Sequence, residues 1–355
     1  MDYEVKADTL EAAFDNLAPV AQITRPILSG GSIADPARAA FVNGYLRRGS
    51  EVELKSFSGV TPVDGGYAVP REIDDIVDAT LKSISPIRAI ANVVRVGSAG
   101  YRKLVTQNGV ASGWASENGG RPETGTPLFN EIVPSFGDLY ANPAATQAML
   151  DDAAFDVENW LASEIATEFA KAEGAAFVNG NGTNKPKGFL TYPTATLNDI
   201  GRPFGTLQYI ASGVAGAFAA TAPENRLLDL LHALRAPYRQ GAVWVMNSNT
   251  LSTIRKFKTA DGAFIWAPGL VTGQPDTLLG YPVVEAEDMP DIGANSLSIA
   301  FGNFNAGYLI AERAETTILR DPFSNKPYVH FYASKRLGGA LCNSEAIKLM
   351  KFAVS

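Results

Sequence analysis

The sequence predicts an α+β protein, a mixture of helices and strands with no internal repeat. Three observations carry this. A helical pattern of unusual length runs from Asp151 to Val178, a series of short strand-like segments fills the chain from Tyr281 onward, and a long polar stretch between strand-like pieces lies at residues 97–137. With 355 residues, 46% of them hydrophobic, the chain can bury a substantial core.

From the N-terminus, residues 1–54 form a separate piece. Leu10, Phe14 and Leu17 fall at helical spacing, and a second short helix opens with Asp35 as cap and Pro36 at its first position, carrying Phe41, Tyr45 and Leu46 and stopping at Gly49. Residues 55–66, "KSFSGVTPVDGG", have no period and read as an extended arm. A helix is predicted over Glu72–Ser83 and an apolar strand over Ile87–Val96. Between Gly97 and Gly137, pieces such as "YRKLVTQ" flank the polar "SENGGRPETGTP". This reads as a projecting β-hairpin, because a loop this long inside a compact domain usually acts outside it.

In the long helix Val157, Leu161, Ile165, Phe169, Ala172 and Ala176 recur at steps of three and four, with Glu158, Glu164, Glu168, Lys171 and Glu173 mostly between them. Asp151 and Asp152 suit its N-terminus, and 28 residues at about 1.5 Å each predict a rod of roughly 42 Å. The following "FVNGNGTNKPKGFL" has the lysine and glycines of a phosphate loop in the wrong order. The helix precedes it, Lys187 is followed by Gly188 and Phe189, and Pro186 removes an N–H, so it is a helix stop in which Gly180 and Gly182 supply positive φ. Next come a helix over Pro223–Arg235, a strand at Ala242–Met246 and a helix from Ser248 past Ile254. Strands are predicted at Tyr281–Glu285, Leu297–Phe301, Ala306–Ala311, Thr316–Arg320, Tyr328–Ser334 and Ala346–Lys351.

Chemistry is sparsely provided for. A net charge of −7 with no long run of like charge argues against a broad nucleic-acid surface. The single cysteine, Cys342, excludes an internal disulfide and a multi-thiolate metal site, and the two histidines, His232 and His330, fall short of a zinc site or a triad. No secretory signal and no apolar run long enough for a membrane span is read, which implies a cytoplasmic origin and no membrane partner. No cofactor-binding motif is found. Two groups keep a functional reading beside a structural one. Arg255, Lys256 and Lys258 around Phe257 are either a weak phosphate or intersubunit contact or a charged helix end; Glu285, Glu287, Asp288 and Asp291 are either an acidic site or a solvated turn.

The order of six segments resembles the major capsid proteins of tailed bacteriophages, whose Johnson fold is shared with gene transfer agents and encapsulin nanocompartments. The segments are "AFVNGYLRRG" (Ala40–Gly49), "GGYAVP" (Gly65–Pro70), "EFAKAEGAAFVNGNGTNKPKGFL" (Glu168–Leu190), "TLLGYPVVEAEDMP" (Thr277–Pro290), "FGNFNAGYLIAER" (Phe301–Arg313) and "KRLGGAL" (Lys335–Leu341). The resemblance implies an N-terminal scaffold-like segment (1–54) and an N-arm with a short helix (55–96). It further implies an E-loop (97–137), a peripheral domain with the spine helix (138–190 and 316–341) and an axial domain (191–315 and 342–355). It implies a shell subunit, not an enzyme, that assembles through pentamers and hexamers around double-stranded DNA held by non-specific contact. Its partners would be copies of itself, portal and head-completion proteins and a prohead protease cutting near Leu54 and Lys55. Arg102, Lys103, Glu117, Arg121 and Glu123 would make E-loop contacts between subunits, and Lys103 and Asn343 have side chains suited to a covalent cross-link. Two alternatives stand beside this reading: an encapsulin-type compartment storing a cargo enzyme, and a soluble hydrolase using the Glu285–Asp291 acids.

Overall fold

The computed structural model describes residues 67–68, 85–97, 100–106, 112, 114, 123, 129–147, 157–258, 277–313 and 317–354. The predicted helices before residue 67 and at Glu72–Ser83, the bond at Leu54 and Lys55, and residues 151–156 of the long helix lie outside them.

The chain enters as β1 (Tyr67–Ala68), within the quoted "GGYAVP", and later makes α1 (Pro86–Ile90) and β2 (Asn92–Val96). The strand predicted from Ile87 is thus half helix. Pro86 presets the first helical φ, Ile87 is fully buried on the inner side, and the Ala91 N–H closes the turn on the Ile87 carbonyl at 3.0 Å. The pair β3 (Lys103–Thr106) and β4 (Phe129–Ile132) forms its own antiparallel two-stranded sheet, followed by β5 (Ser135–Ala141) and β6 (Ala144–Thr146).

The long helix, α2, spans Val157–Asn179. Its buried stripe is offset from the predicted one. Ile165 and Phe169 are inside as expected, but the stripe continues through Ala166, Ala170, Glu173, Gly174, Phe177 and Val178, whereas Ala172 is exposed and Ala176 half-buried. The side chains of Val157, Glu158 and Leu161 fall outside the described set, while Glu164, Glu168 and Lys171 face solvent as predicted. The offset arises because Glu173 is drawn inward by Arg88 and because Gly174 leaves room for the Asp288 carboxylate, which lies 2.2 Å from where a Cβ would stand.

After a 3-10 turn (Phe189–Thr191) come β7 (Thr194–Ala195), β8 (Leu207–Ala211) and the short pair β9 (Gly213–Val214) and β10 (Ala217–Phe218). The helix predicted over Pro223–Arg235 is α3 (Glu224–Ala233), with Pro237 opening a separate turn, α4 (Ala236–Arg239). Then follow β11 (Val243–Met246), α5 (Ser248–Arg255), β12 (Thr277–Leu278), β13 (Tyr281–Glu285) and β14 (Ile299–Gly302). A helical turn, α6 (Phe304–Gly307), is capped by the Asn303 side chain and displaces the start of β15 to Tyr308–Arg313. The chain closes with β16 (Thr317–Asp321), β17 (Tyr328–Leu341) and β18 (Ile347–Lys351).

Two seven-stranded sheets result. In the first, the 14-residue β17 is the axis. Strands β6 and β5 pair along one edge and β16 and β15 along the other, while β1 extends β16 and β2 runs parallel to β15. The strand Tyr308–Arg313, which the resemblance groups with residues 191–315, therefore hydrogen-bonds into the sheet of residues 135–146 and 317–341. The second sheet has the order β12-β13-β11-β14-β18-β8-β7 and is buried on both faces. One face, with Val245, Ala300, Ile347 and Leu349, joins Phe177 and Val178 of α2 and Tyr308 and Ile310 of the first sheet in a single core. The other, with Trp244, Ile299, Phe301 and Met350, is covered by Leu227, Leu230 and Leu231 of α3 and Leu251 and Ile254 of α5.

Candidate assembly surfaces and their internal supports

The β3–β4 hairpin is two-faced because side chains alternate along each strand. Val105 and Ile132 turn inward onto Leu309, Ala340 and Cys342. Outward, Leu104 is 70% and Phe129 65% exposed, and Val133 just beyond is 56% exposed. Arg102 and Glu131 clamp the outer side at 2.8 Å, an exposed pair that contributes little to stability. Lys103 faces inward beside Cys342, whose thiol is pushed up by burial and held back by the Lys103 ammonium. Trp114 and Glu123 are exposed; Glu117 and Arg121 lie outside the described residues. A second apolar surface sits at the far end of β17. There Tyr140 and Tyr332 stack with ring centroids 5.9 Å apart, and Tyr328 and Phe323 are also exposed.

Inside the subunit lie two buried ionic clusters that the sequence reading missed. In the first, Arg88 of α1 donates to Glu173 of α2 at 3.2 Å and to Glu312 of β15, and Glu312 also faces Lys335 of β17 at 3.4 Å and Arg95 of β2 at 3.4 Å. Five elements meet in one charge network. Burial raises the Glu173 carboxyl, opposed by Arg88 and Lys335. In the second, Asp199 accepts from Arg202 at 2.6 Å and from Lys348, with Arg235 at 3.5 Å, and Arg235 reaches Glu345 at 3.3 Å. Arg88 stood within a segment read as strand, and buried charge breaks the apolar periodicity on which such readings rest.

The remaining expected sites are placed as follows. Arg255 is half-buried and Lys256 and Lys258 exposed at the end of α5, beside Gly216–Ala220 and Ile292. Phe257 is half-buried, its ring edge-on to Phe218 at 5.0 Å, and the two rings line one cleft with Lys256 and Lys258. The acidic group is dispersed. Asp291 accepts from the Asn247 and Asn249 amides at 2.7 and 3.0 Å, Asp288 packs against Gly174 with its carboxyl raised by burial and then by Glu287, and Glu285 and Glu287 point to solvent. Among the described residues no group of three metal-capable side chains converges. His232 is exposed and His330 half-buried on β17. The Asn343 amide donates to the Tyr238 hydroxyl at 2.8 Å within the same subunit. No helix among the described residues is long and apolar enough to cross a membrane.

A spine helix clasped by two sheets, with a hairpin seated by its inner face on the first, defines a shell-subunit fold, and comparison with known proteins agrees. The model of the phage capsid family matches residues 65–352. The chain is 46% identical to a chain of the capsid of an empty GTA (gene transfer agent) particle, with a TM-score of 0.70 over 84% of this chain and 98% of that one. The capsid chain of a native GTA particle gives the same identity and score over 86% and 99%. A chain from Microbacterium phage Oxtober96 shares the fold at 13% identity and a TM-score of 0.54, covering 86% of this chain and 99% of that one. Comparison with curated proteins returns no match. The chain belongs to the phage capsid family.

Proposed function

We propose that this chain is the major capsid protein of a gene transfer agent or closely related tailed-phage particle, assembling through pentamers and hexamers into a closed shell around double-stranded DNA. The observation that carries the reading is the 46% identity to a GTA capsid chain over nearly the whole of that chain, whose particle was computed with C5 symmetry. It favours a genome container over a compartment for a cargo enzyme. Exposed Leu104 and Phe129, on the face of the hairpin turned away from the first sheet, supply apolar surface that a ring of subunits would bury. The net charge of −7 suits a wall that contacts DNA weakly and without sequence preference, since a basic lining would hold the polymer by counterion release.

In this reading the chain works without catalysis, cofactor or membrane. Residues 1–54 act as a scaffold-like leader cut near Leu54 and Lys55 by a prohead protease, the shell is built in the bacterial cytoplasm, and portal and head-completion proteins close it. The parts are the N-arm with its short helix (55–96), the E-loop (97–137), the peripheral domain (138–190 and 316–341) and the axial domain (191–315 and 342–355). Arg102, Lys103 and Glu123, with Glu117 and Arg121, serve contacts between subunits, and Arg255, Lys256 and Lys258 a weak phosphate or intersubunit contact.

Sedimentation velocity of the purified chain with electron micrographs of the fast fraction tests the function. Megadalton particles or rings are expected; a monomer under every assembly condition would overturn it. Mass spectrometry of the N-terminus in mature particles tests the leader, which an intact terminus would refute.

A further inference from the structure

The aromatic surface at the far end of β17 is the open face of paired strands in the first sheet. Along β17, Val329, Phe331 and Ala333 are buried, so the alternation turns His330 and Tyr332 to the opposite face. The register with β16 sets Leu319 opposite Tyr332 and Asp321 opposite His330. On the other flank Tyr140 of β5 is opposite Ser334, which brings its ring diagonally onto that of Tyr332. Around Tyr332 the side chains of Asn142, Asp321, Ser324, Asn325 and His330 line a pocket of about 290 Å³.

The lining selects a ligand chemistry. It contains no lysine or arginine, so a phosphate or carboxylate group finds no permanent cation there. Its one carboxylate, Asp321, is fixed by the Phe323 and Ser324 N–H groups at 2.9 and 3.2 Å and by the Ser324 hydroxyl. The side-chain amides of Asn142 and Asn325 and the Tyr332 hydroxyl make no hydrogen bond among the described residues. An apolar occupant would strand these groups, at a cost of roughly 1–3 kcal/mol for each one buried. A sugar ring has one apolar face of C–H groups and a rim of neutral hydroxyls that both donate and accept, which suits an aromatic ring surrounded by amides and a carboxylate. We propose that this face binds a saccharide. One pyranose unit lies against the Tyr332 ring, and its hydroxyls donate to Asp321 and exchange hydrogen bonds with Asn142 and Asn325. The site needs only the folded chain; its use as a grip on polysaccharide outside a particle rests on the shell-subunit reading above.

Two measurements test it. The unassembled full chain is titrated calorimetrically with maltoheptaose, chitohexaose and mannohexaose, and saturable binding of at least one is expected. Tyr332→Ala should weaken that binding about tenfold and Asn142→Ala about fivefold, while Tyr332→Phe, which keeps the ring, should stay within about twofold. Both positions are exposed, so an unchanged urea midpoint should show that the variants fold. No binding of any probe by the wild type, or equal binding by Tyr332→Ala, would overturn the site. Assembled particles are then passed over the same sugars immobilised on beads. Retention that Tyr332→Ala abolishes supports the outer-surface use; binding by the free chain that disappears in particles overturns that use, because the shell then covers the face. A chain that never assembles would sink the shell reading alone, and the titration would still decide the saccharide site.

Discussion

The Gly188 N–H donates to the Gly180 carbonyl at 2.9 Å, closing the loop that follows the spine helix into a tight ring. The close approach requires both glycines: a Cβ on Gly180 would stand 2.1 Å from the Pro186 carbonyl oxygen, and one on Gly188 2.3 Å from that of Val178. Gly188→Ala is therefore expected to cost about 3 kcal/mol or more in urea unfolding of the unassembled chain. Gly97→Ala, where the added methyl meets nothing within 4 Å, should stay within about 0.5 kcal/mol.

Removing Arg88 leaves Glu173 and Glu312 as buried like charges, with buried Lys335 and the more exposed Arg95 as the remaining cations of the cluster. Arg88→Met should cost about 3–5 kcal/mol at neutral pH. The sign with pH is set by the raised Glu173 carboxyl, which rises further once Arg88 is gone. For such a group stability is present below the unfolded value of 4.5 and lost as pH rises through the folded value, so the variant should recover toward wild type on acidification from about pH 7 to about pH 5. Denaturant titrations at the two pH values measure this; an equal deficit at both would contradict it.

Lys348 is lowered to about 8 by burial, with Asp199 opposing the shift. Between that value and 10.5 the folded chain holds fewer protons than the unfolded one, so this residue's contribution to stability rises with pH across the window and is lost as pH falls through 8. Relative to Lys348→Met, the wild type should gain up to about 3 kcal/mol between about pH 7 and about pH 10. Parallel curves for the two proteins would show that the depression is absent.

On the outer hairpin face, Leu104→Asp and Phe129→Asp replace side chains that are 70% and 65% exposed in the single subunit. Unfolding of the isolated chain should shift by no more than about 0.5 kcal/mol. Burying the new charge between subunits should stop assembly, leaving only slow species in sedimentation velocity. Normal particle yield from both variants would remove this face from the interface.

The hairpin was legible because its signal is local. Turn-rich polar residues at 116–127 have little to bury, and Lys103–Thr106 alternates in the structure between two opposite faces. The C-terminal half of β17, beyond the predicted end at Ser334, was not, because Gly338 and Gly339 carry no side chain to extend the local strand pattern. They continue the strand, since a Cβ at Gly339 would stand 2.4 Å from the Tyr308 hydroxyl and one at Gly338 3.0 Å from the Phe136 ring. That constraint comes from residues 30 or more positions away and leaves no periodic trace.

By itself the sequence determined that the chain is α+β, that one long helix precedes a run of strands, that strand-like pieces near residues 101–107 belong to a hairpin, and which family's order of segments it follows. Each is written in nearby residues as a period, a turn or a short motif. Only the tertiary structure decided that Glu173 and not Ala172 faces inward, that β15 joins the first sheet, and that Arg88, Glu173, Glu312 and Lys335 share one buried site. A buried charge is tolerated only where distant segments deliver its partner, so its burial belongs to the assembled fold and to no local stretch of the chain.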